Sequence, residues 1–458
     1  MIDTTVGDVA RMVEGRLHGP EATRILGVSR DSRECAEQAL FVALRGERFD
    51  GHDFIGPELA AAALLVERRL DDTRPQIVVG DTLAALGQLA SAWRGRCKAR
   101  VIALTGSNGK TSTKEMLRAI LTRVGRVHAT AGNLNNHIGV PLTLLALPID
   151  AEFAVIEMGA NHAGEIAQLT HWARPDVALI TNAGRAHLDG FGSLEGVARA
   201  KGEIYQGLPE AGGTAVINLD DRFADYWLSL NPARQWIGFS LEGIGEVQGA
   251  WTHPDRLQLL LHGVPRELRL AAAGRHFAQN ALAAAAAASA VGCSVDDIAS
   301  GLEAWRPVAG RLRVFRDVSG ARVWDDTYNA NPESLGAALQ VLTADAGATV
   351  LVLGDMNELG PQARQMHAEM GLRARDLGVR VLLALGDLTP AAVEAFGAGA
   401  EWFPSHQELA SALRAHLRKG TAILVKGSRS QHMENVLATL DLEPVRADEG
   451  LDDASAAR

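Results

Sequence analysis

The sequence predicts an α/β protein in three domains: a small N-terminal α/β domain over residues 1–82, a central domain with a mainly parallel sheet over 83–308, and a C-terminal Rossmann-like α/β domain over 309–458. Three observations predict it. At 458 residues the chain is too long for one hydrophobic core, so about three domains of ordinary size are expected. Short apolar runs alternate with helical stretches twice, from 101 to 218 and again from 323 to 425, which is the pattern of parallel βαβ units. The segment between them, 236–270, breaks that alternation.

Residues 1–82 mix short strands with turns and carry the strings SRDSRE at 29–34 and LFVALRGERFDGHDFI at 40–55. Leu83, Leu86, Leu89, Ala90 and Trp93 recur at helical spacing and predict a linking helix over 81–93. A strand over 101–104 then leads into a helix over 110–123. Strands at 153–158, 177–181 and 215–218 alternate with helices near 164–173 and 194–207. Within 236–270, runs at 257–261 and 267–270 around the turn string HGVP suggest an antiparallel appendage. A helix over 276–291 contains Ala283 to Ala288, read as a closely packed face. After Pro307 and Gly310 the strands 323–325, 349–353, 381–385 and 422–425 restart the alternation. Asn331 before Pro332 starts one of the intervening helices, and Ser405 with Glu408 forms the capping box of another. No G-x-G-x-x-G follows the first of these strands, so a dinucleotide site there is unsupported. The acidic, Ala-rich end EPVRADEGLDDASAAR reads as a mobile tail.

Composition excludes several functions. With 45 basic and 55 acidic residues the net charge is -10, which gives no global attraction for nucleic acid or an anionic membrane. An anionic substrate must therefore meet locally clustered cations and backbone N–H groups. Cys35, Cys97 and Cys293 have no C-x-x-C spacing and read as reduced thiols. The start MIDTTVGDVARMVEG has no signal-type apolar segment, and no stretch reaches membrane-spanning length. A soluble, cytoplasmic monomer is the expectation.

The run TGSNGKTST at 105–113 carries the most function. A strand ending in Gly-rich backbone and opening into a helix aims several N–H groups and the positive helix end at one point, which suits polyphosphate. Thr105, Gly106, Ser107, Asn108, Gly109 and Ser112 would form the cradle, Lys110 would neutralise the β and γ phosphates, and the Thr111 hydroxyl would ligate Mg2+. Leu104 stands where the usual pattern has its first Gly, which argues against a generic GTPase. A surface turn is the rival reading, and the flanking strand and helix weigh against it. The central domain accordingly reads as a P-loop nucleotide-binding domain.

Other candidates cluster at predicted strand ends. Glu157 sits at a carboxyl edge, where open α/β sheets bind ligands, and suits nucleotide-bound Mg2+; pairing with a surface Arg is equally consistent. His187 shares that edge, but a lone loop His is more often solvated. Lys201 stands among Val197, Ile204 and Leu208, where an exposed helix cation is the plain reading. Asn133, Asn135, Asn136 and His137 offer amide donors to a polar substrate, or simply form turns. DDTYNANP at 325–332 could close over a nucleotide held by another domain, and KGSRS at 426–430 is either an anion pocket or a solvated loop.

TGSNGKTSTKEML, TAGNLNNHIGVPLTLL, IEMGANHAGEI, AHLDGFGS followed by AKGEI, DDTYNANPES and GDMNELG occur in this order, and together they resemble the Mur ligases of peptidoglycan synthesis, over about residues 31–430. The resemblance implies a domain for the UDP-sugar, a central ATPase and a C-terminal domain for the incoming amine. Its motifs match the branch that adds D-alanyl-D-alanine to UDP-N-acetylmuramoyl-tripeptide through an acyl phosphate, with ATP and Mg2+, in cell-wall biogenesis that supports cell shape and division. By resemblance, Lys110, Glu157, His187 and Lys201 are catalytic. Thr111, Glu157, His187 and a carbamylated Lys201 bind metal. Asn280, Arg311, Asp326 and Tyr328 join the ATP site. Ser32, Arg33, Arg45 and Gly46, with the 133–137 loop, meet the UDP-sugar peptide, and Lys426 and Arg429 meet D-alanyl-D-alanine. The rivals are a Mur-type ligase adding the third residue, a folylpolyglutamate synthetase lacking the DSR region, and a P-loop NTPase switch with a partner-binding C-terminal module. Lysine and diaminopimelate at the third peptide position are not distinguished.

Overall fold

The computed structural model describes residues 1–445 except 47 and 346. Near the N-terminus, Asp3–Thr5 pairs with Arg24–Leu26, and a five-stranded sheet follows in the order Arg16–His18, Gln76–Val78, Ala63–Val66, Leu40–Val42, Val28–Ser29. The helix Thr82–Arg94 starts at Asp81, whose carboxylate accepts from the N–H groups of Leu83 and Ala84. Its buried stripe of Ala85, Leu86, Leu89, Ala90 and Trp93 lies in one apolar core with Leu65 and Ile77 of the first sheet and Val101 and Ile156 of the second.

Gly87 on this helix faces Trp172 so closely that an added Cβ would sit 2.3 Å from the ring's Cζ2. Trp172 is buried, so any shift of its ring must be taken up by its packed neighbours. Gly87→Ala is therefore expected to destabilise the protein by about 1–3 kcal/mol, despite the better helix propensity of Ala. The check is a lower urea midpoint with an unchanged slope.

The second sheet has nine strands, in the order Val264–Arg269, Arg256–Leu261, Val247–His253, Gln235–Ser240, Thr214–Asn218, Val177–Ile180, Arg100–Thr105, Phe153–Glu157, Val127–Ala129. All pairs are parallel from Val247–His253 onward, and the two strands beyond it run antiparallel. The expected appendage is thus a continuation of the central sheet. Arg256–Leu261 alternates exposed and buried residues, and its buried Leu257, Leu259 and Leu261 share the core of the helix Arg275–Ala290. Ala283 to Ala288 are all at most 1% exposed, and these small side chains let that helix lie close on the sheet and on Lys110–Leu121.

The third sheet runs Ala400–Phe403, Val381–Leu385, Ala348–Gly354, Thr421–Lys426, Arg322–Asp326, Arg313–Asp317, Leu442–Pro444. Its first five strands are parallel and the last two antiparallel. The terminal segment read as a mobile tail therefore begins inside an edge strand, while residues 446–458 lie outside the described residues. Asn331 forms a complete capping box with Ser334 behind Pro332. Ser405 forms only half of one: it accepts from Glu408 N–H, but the Glu408 carboxylate takes the Ser405 hydroxyl and not its backbone N–H. Among the described residues no helix is long and apolar enough to cross a membrane.

Candidate active site

The carboxyl ends of the second and third sheets face one another across a cleft of about 630 Å³. On one wall the loop after Arg100–Thr105 turns through Gly106 (φ 149°) and Gly109 (φ 82°) into the helix Lys110–Leu121. Only glycine fits these two places. A Cβ on Gly106 would lie 1.9 Å from Thr181 Oγ1, and one on Gly109 would lie 2.2 Å from Asn280 Oδ1.

The loop is fixed by the end of the next strand. Thr181 Oγ1 donates to Asn108 O (2.6 Å), Asn108 N donates to Asn182 Oδ1 (3.0 Å), and Ser107 Oγ donates to Gly184 O (3.1 Å). Lys110 Nζ folds back onto Gly106 O at 2.7 Å. Burial lowers the Lys110 pKa to about 8, with nearby Glu157 opposing the shift and Arg311 adding to it.

Glu157, 2% exposed, ends its strand beside this loop. Asn135 Nδ2 donates to its Oε1 at 2.8 Å, while its Oε2 is buried without a hydrogen bond and stands 3.9 Å from Lys114 Nζ. The surface-Arg alternative is therefore excluded. Asn135 spends a donor on Glu157, and Asn136 caps the turn into Gly139–Leu145 by accepting from Gly139 N at 2.8 Å, so the turn reading holds for Asn136. Asn133 and His137 also line the cleft.

Lys201 corrects its plain reading. It is 1% exposed, on the helix Leu194–Gly202, with its ammonium 5.5 Å over the Phe191 ring and no carboxylate at ion-pair distance among the described residues. Burial first, and Lys110 second, push its pKa down to about 7. His187 lines the same cleft, and its Nδ1 rests against the Glu358 carboxylate.

From the opposite wall Arg311 lays its guanidinium 4.0 Å over the Tyr328 ring and reaches Thr111 Oγ1 at 3.3 Å. Asn331 Nδ2 donates to Asn108 Oδ1 at 2.8 Å. Lys426, 2% exposed, pairs with Asp326 at 2.5 Å. The cleft thus gathers Lys110, Glu157, His187, Lys201, Asn280, Arg311, Asp326, Tyr328 and Lys426.

Other expected residues lie elsewhere. Arg429 is exposed, pairs with Glu434 at 2.8 Å and does not line the cleft. Ser32, Arg33, Arg45 and Gly46 belong to the N-terminal unit outside it; Arg33 pairs with Asp31 at 2.6 Å, and Arg45 lies 3.6 Å from Asp50 and 3.5 Å from Glu67.

Three contributors went unnoticed in the sequence. Asn182 follows a parallel strand at the same edge as Glu157, so the rule that selected Glu157 would have selected it. Lys114 is one helical turn beyond Lys110, a spacing that puts both on one face. Glu358 lies in the quoted string GDMNELG, but nothing local singled it out within that string.

Among the described residues no three His, Cys, Asp or Glu side chains converge to hold a metal by themselves. A magnesium ion shared with a nucleotide needs less, since it keeps waters and takes phosphate oxygens alongside one or two carboxylates. Glu157 Oε2, which makes no hydrogen bond, and the Thr111 hydroxyl fit that demand, and His187 lines the same cleft.

The chain matches three family descriptions: "Mur ligase family, catalytic domain" over residues 24–94, "Mur ligase middle domain" over 104–288, and "Mur ligase, glutamate ligase domain" over 310–429. It is 43% identical to the UDP-N-acetylmuramoyl-tripeptide–D-alanyl-D-alanine ligase of Escherichia coli strain K12, covering 96% of this chain and 99% of that protein. The crystal structure of MurF from Acinetobacter baumannii superposes with a TM-score of 0.90 at 38% identity, covering 96% of this chain and 99% of that one. MurF ligase from Thermotoga maritima, solved in complex with ADP, gives 0.78 at 29% identity, covering 90% and 96%.

Proposed function

The chain belongs to the Mur ligase family, and from that premise we propose that it uses ATP to join D-alanyl-D-alanine to UDP-N-acetylmuramoyl-tripeptide, forming the pentapeptide precursor of peptidoglycan. One observation supports this reading above the others. The phosphate loop shares a single cleft with buried Glu157 and Lys201, and a separate unit carrying Arg311, Asp326, Tyr328 and Lys426 covers that cleft. A simple NTPase switch has no need of such a second wall.

A carboxylate is a poor electrophile. The terminal carboxyl of the tripeptide attacks the γ-phosphorus of ATP, the bond to the β-phosphate oxygen breaks, and ADP leaves behind an acyl phosphate. The loop N–H groups and Lys110 offset charge on the transferring group. The neutral amine of D-alanyl-D-alanine then adds to the acyl carbon. Inorganic phosphate leaves from the tetrahedral intermediate, and the amine proton passes to solvent. An ordinary α-amino pKa near ~8 makes a strong base unnecessary. Because an acyl phosphate hydrolyses in water, covering by the C-terminal unit belongs to the chemistry.

Thr111, Glu157, His187 and carbamylated Lys201 would hold Mg2+, which when bound supplies neutralisation of the phosphate charge. The carbamate is proposed because a buried amine titrating near 7 is neutral enough to add CO2, and the product replaces an unpaired cation with an anion. In the same reading residues 1–82 take the uridine end through Ser32, Arg33, Arg45 and Gly46, residues 83–308 take ATP, and residues 309–458 take D-alanyl-D-alanine with Lys426 facing it. The protein works in the cytoplasm, where ATP is supplied and its three free thiols stay reduced.

Phosphate release tests the proposal. A ligase releases phosphate at a sustained rate only with both the tripeptide nucleotide and D-alanyl-D-alanine present, and mass measurement finds the joined product. Equal release with neither present would identify a switch instead, and release driven by a free amino acid with the dipeptide nucleotide would identify the adder of the third residue.

A further inference from the structure

His187 and Glu358 belong to different units, one after the strand Val177–Ile180 of the central sheet and the other after Ala348–Gly354 of the C-terminal sheet. Both are non-glycine residues in the left-handed region, at φ 56° and 61°. Side chains bearing a Cβ seldom adopt that conformation, and strained positions of this kind concentrate at functional junctions. Here the two strained residues face each other, with His187 Nδ1 against the carboxylate of Glu358.

The Glu358 loop is held from behind. Met356 N donates to His367 Nε2 (2.9 Å), Asn357 N donates to Ser428 Oγ (2.8 Å), and Asn357 Nδ2 donates to Ser430 Oγ (2.7 Å). Two residues beyond each partner the chains still run together, since a Cβ on Gly360 would lie 2.9 Å from Asp189 Oδ1. The carboxylate is thus presented by a braced loop. Nδ1 lies at ion-pair distance of the Glu358 carboxylate without completing a hydrogen bond in this arrangement, so Nε2 is the ring nitrogen that Glu358 does not meet, and the ring lines the cleft with Glu157 and Lys201.

We propose that Glu358 is the positioning residue for His187: it fixes the tautomer and ring orientation that leave Nε2 free for the nucleotide's metal. Because the carboxylate arrives on the C-terminal unit, the metal site is complete only when that unit docks, and docking and metal affinity become one linked equilibrium. The proposal rests on His187 being a metal-binding residue, as read above.

The test uses the full-length enzyme and the variants Glu358→Ala, Glu358→Gly and Glu358→Gln. Glu358 is a half-exposed side chain, so its loss leaves the fold intact, and glycine also relieves the left-handed backbone. With Mn2+ as a paramagnetic probe in the presence of ADP, the Ala and Gly variants are expected to bind the ion about tenfold more weakly, while ADP affinity in EDTA stays unchanged. The Mg2+ concentration for half-maximal kcat should rise by a similar factor. Glu358→Gln, which keeps an acceptor for Nδ1–H, should recover part of the loss. Small-angle scattering should find that Mg2+ promotes nucleotide-dependent compaction of the native enzyme more than that of the Ala and Gly variants. Unchanged Mn2+ affinity and Mg2+ dependence in those two variants would overturn the proposal while the native enzyme still makes pentapeptide. A native enzyme that makes none would overturn the ligase reading instead, and His187→Ala with native Mn2+ affinity would overturn the premise about His187.

Discussion

Lys110→Met is expected to lower kcat by about 10²–10³-fold, equivalent to roughly 3–4 kcal/mol of lost transition-state stabilisation, with only a modest change in ADP affinity. Lys110 Nζ donates to Gly106 O and Ser107 O, at 2.7 and 3.3 Å, so its charge rests on the loop's own carbonyls. Burial holds its pKa down to about 8, and a buried cation gains from an anion placed beside it. Polyphosphate supplies that anion, and charge moving toward the β–γ bridge during transfer strengthens the interaction beyond the ground state. Methionine keeps the aliphatic stem and removes only the charge. Thermal stability should therefore hold while single-turnover acyl phosphate formation collapses. A variant with native single-turnover rate would mean that the loop's N–H groups suffice and that the ammonium has no part in transfer.

The phosphate loop was legible because its physics is local. Glycines that must be glycine, a strand before and a helix after are all contained in a short window, and the backbone at Gly106 and Gly109 obeys them. Glu157 was legible from strand-end placement, although what holds it, Asn135 and Lys114, was not. Lys201 misled for a definite reason. A lysine on a helix is nearly always solvated, yet Lys201 continues the buried stripe of Val197, Ile204 and Leu208, while Glu195 and Arg199 stay exposed. The strand Arg313–Asp317, sequence RVFRD, escaped notice because its two apolar residues, Val314 and Phe315, are adjacent and pack into different cores, so no alternation shows, and the continuation of the central sheet through Gln235–Ser240 depended on which edge was free. Glu358 and Arg429 show the general limit. One side chain crosses to another unit and the other turns away to Glu434, and both outcomes are decided by packing between distant segments.

Lys201→Ala is expected to abolish ligation, by about 10³-fold or more, and to be partly rescued by short carboxylic acids such as acetate or propionate. An ammonium buried near Lys110 would repel a metal, so the proposed role requires Lys201 to be neutral or anionic when the nucleotide binds. With a pKa of about 7 the amine is neutral in roughly half of the molecules at pH 7, against about one in 3,000 for an ordinary lysine, and only the neutral form adds CO2. Raising pH from 6 to 8 in the presence of bicarbonate should accordingly raise the carbamylated fraction and the rate together.

Stability follows the same sign. The folded pKa lies below the unfolded value, so the unfolded chain holds more protons between about pH 7 and 10, and in CO2-free buffer the protein gains stability as pH rises through that window. Lys201→Met, which fills the space without a charge, should flatten that slope and raise Tm at pH 7 while leaving no activity. Opposite movements of Tm and kcat at one position would separate a chemical role from a structural one. Full activity of Lys201→Ala in bicarbonate-free buffer would leave the carbamate with no function.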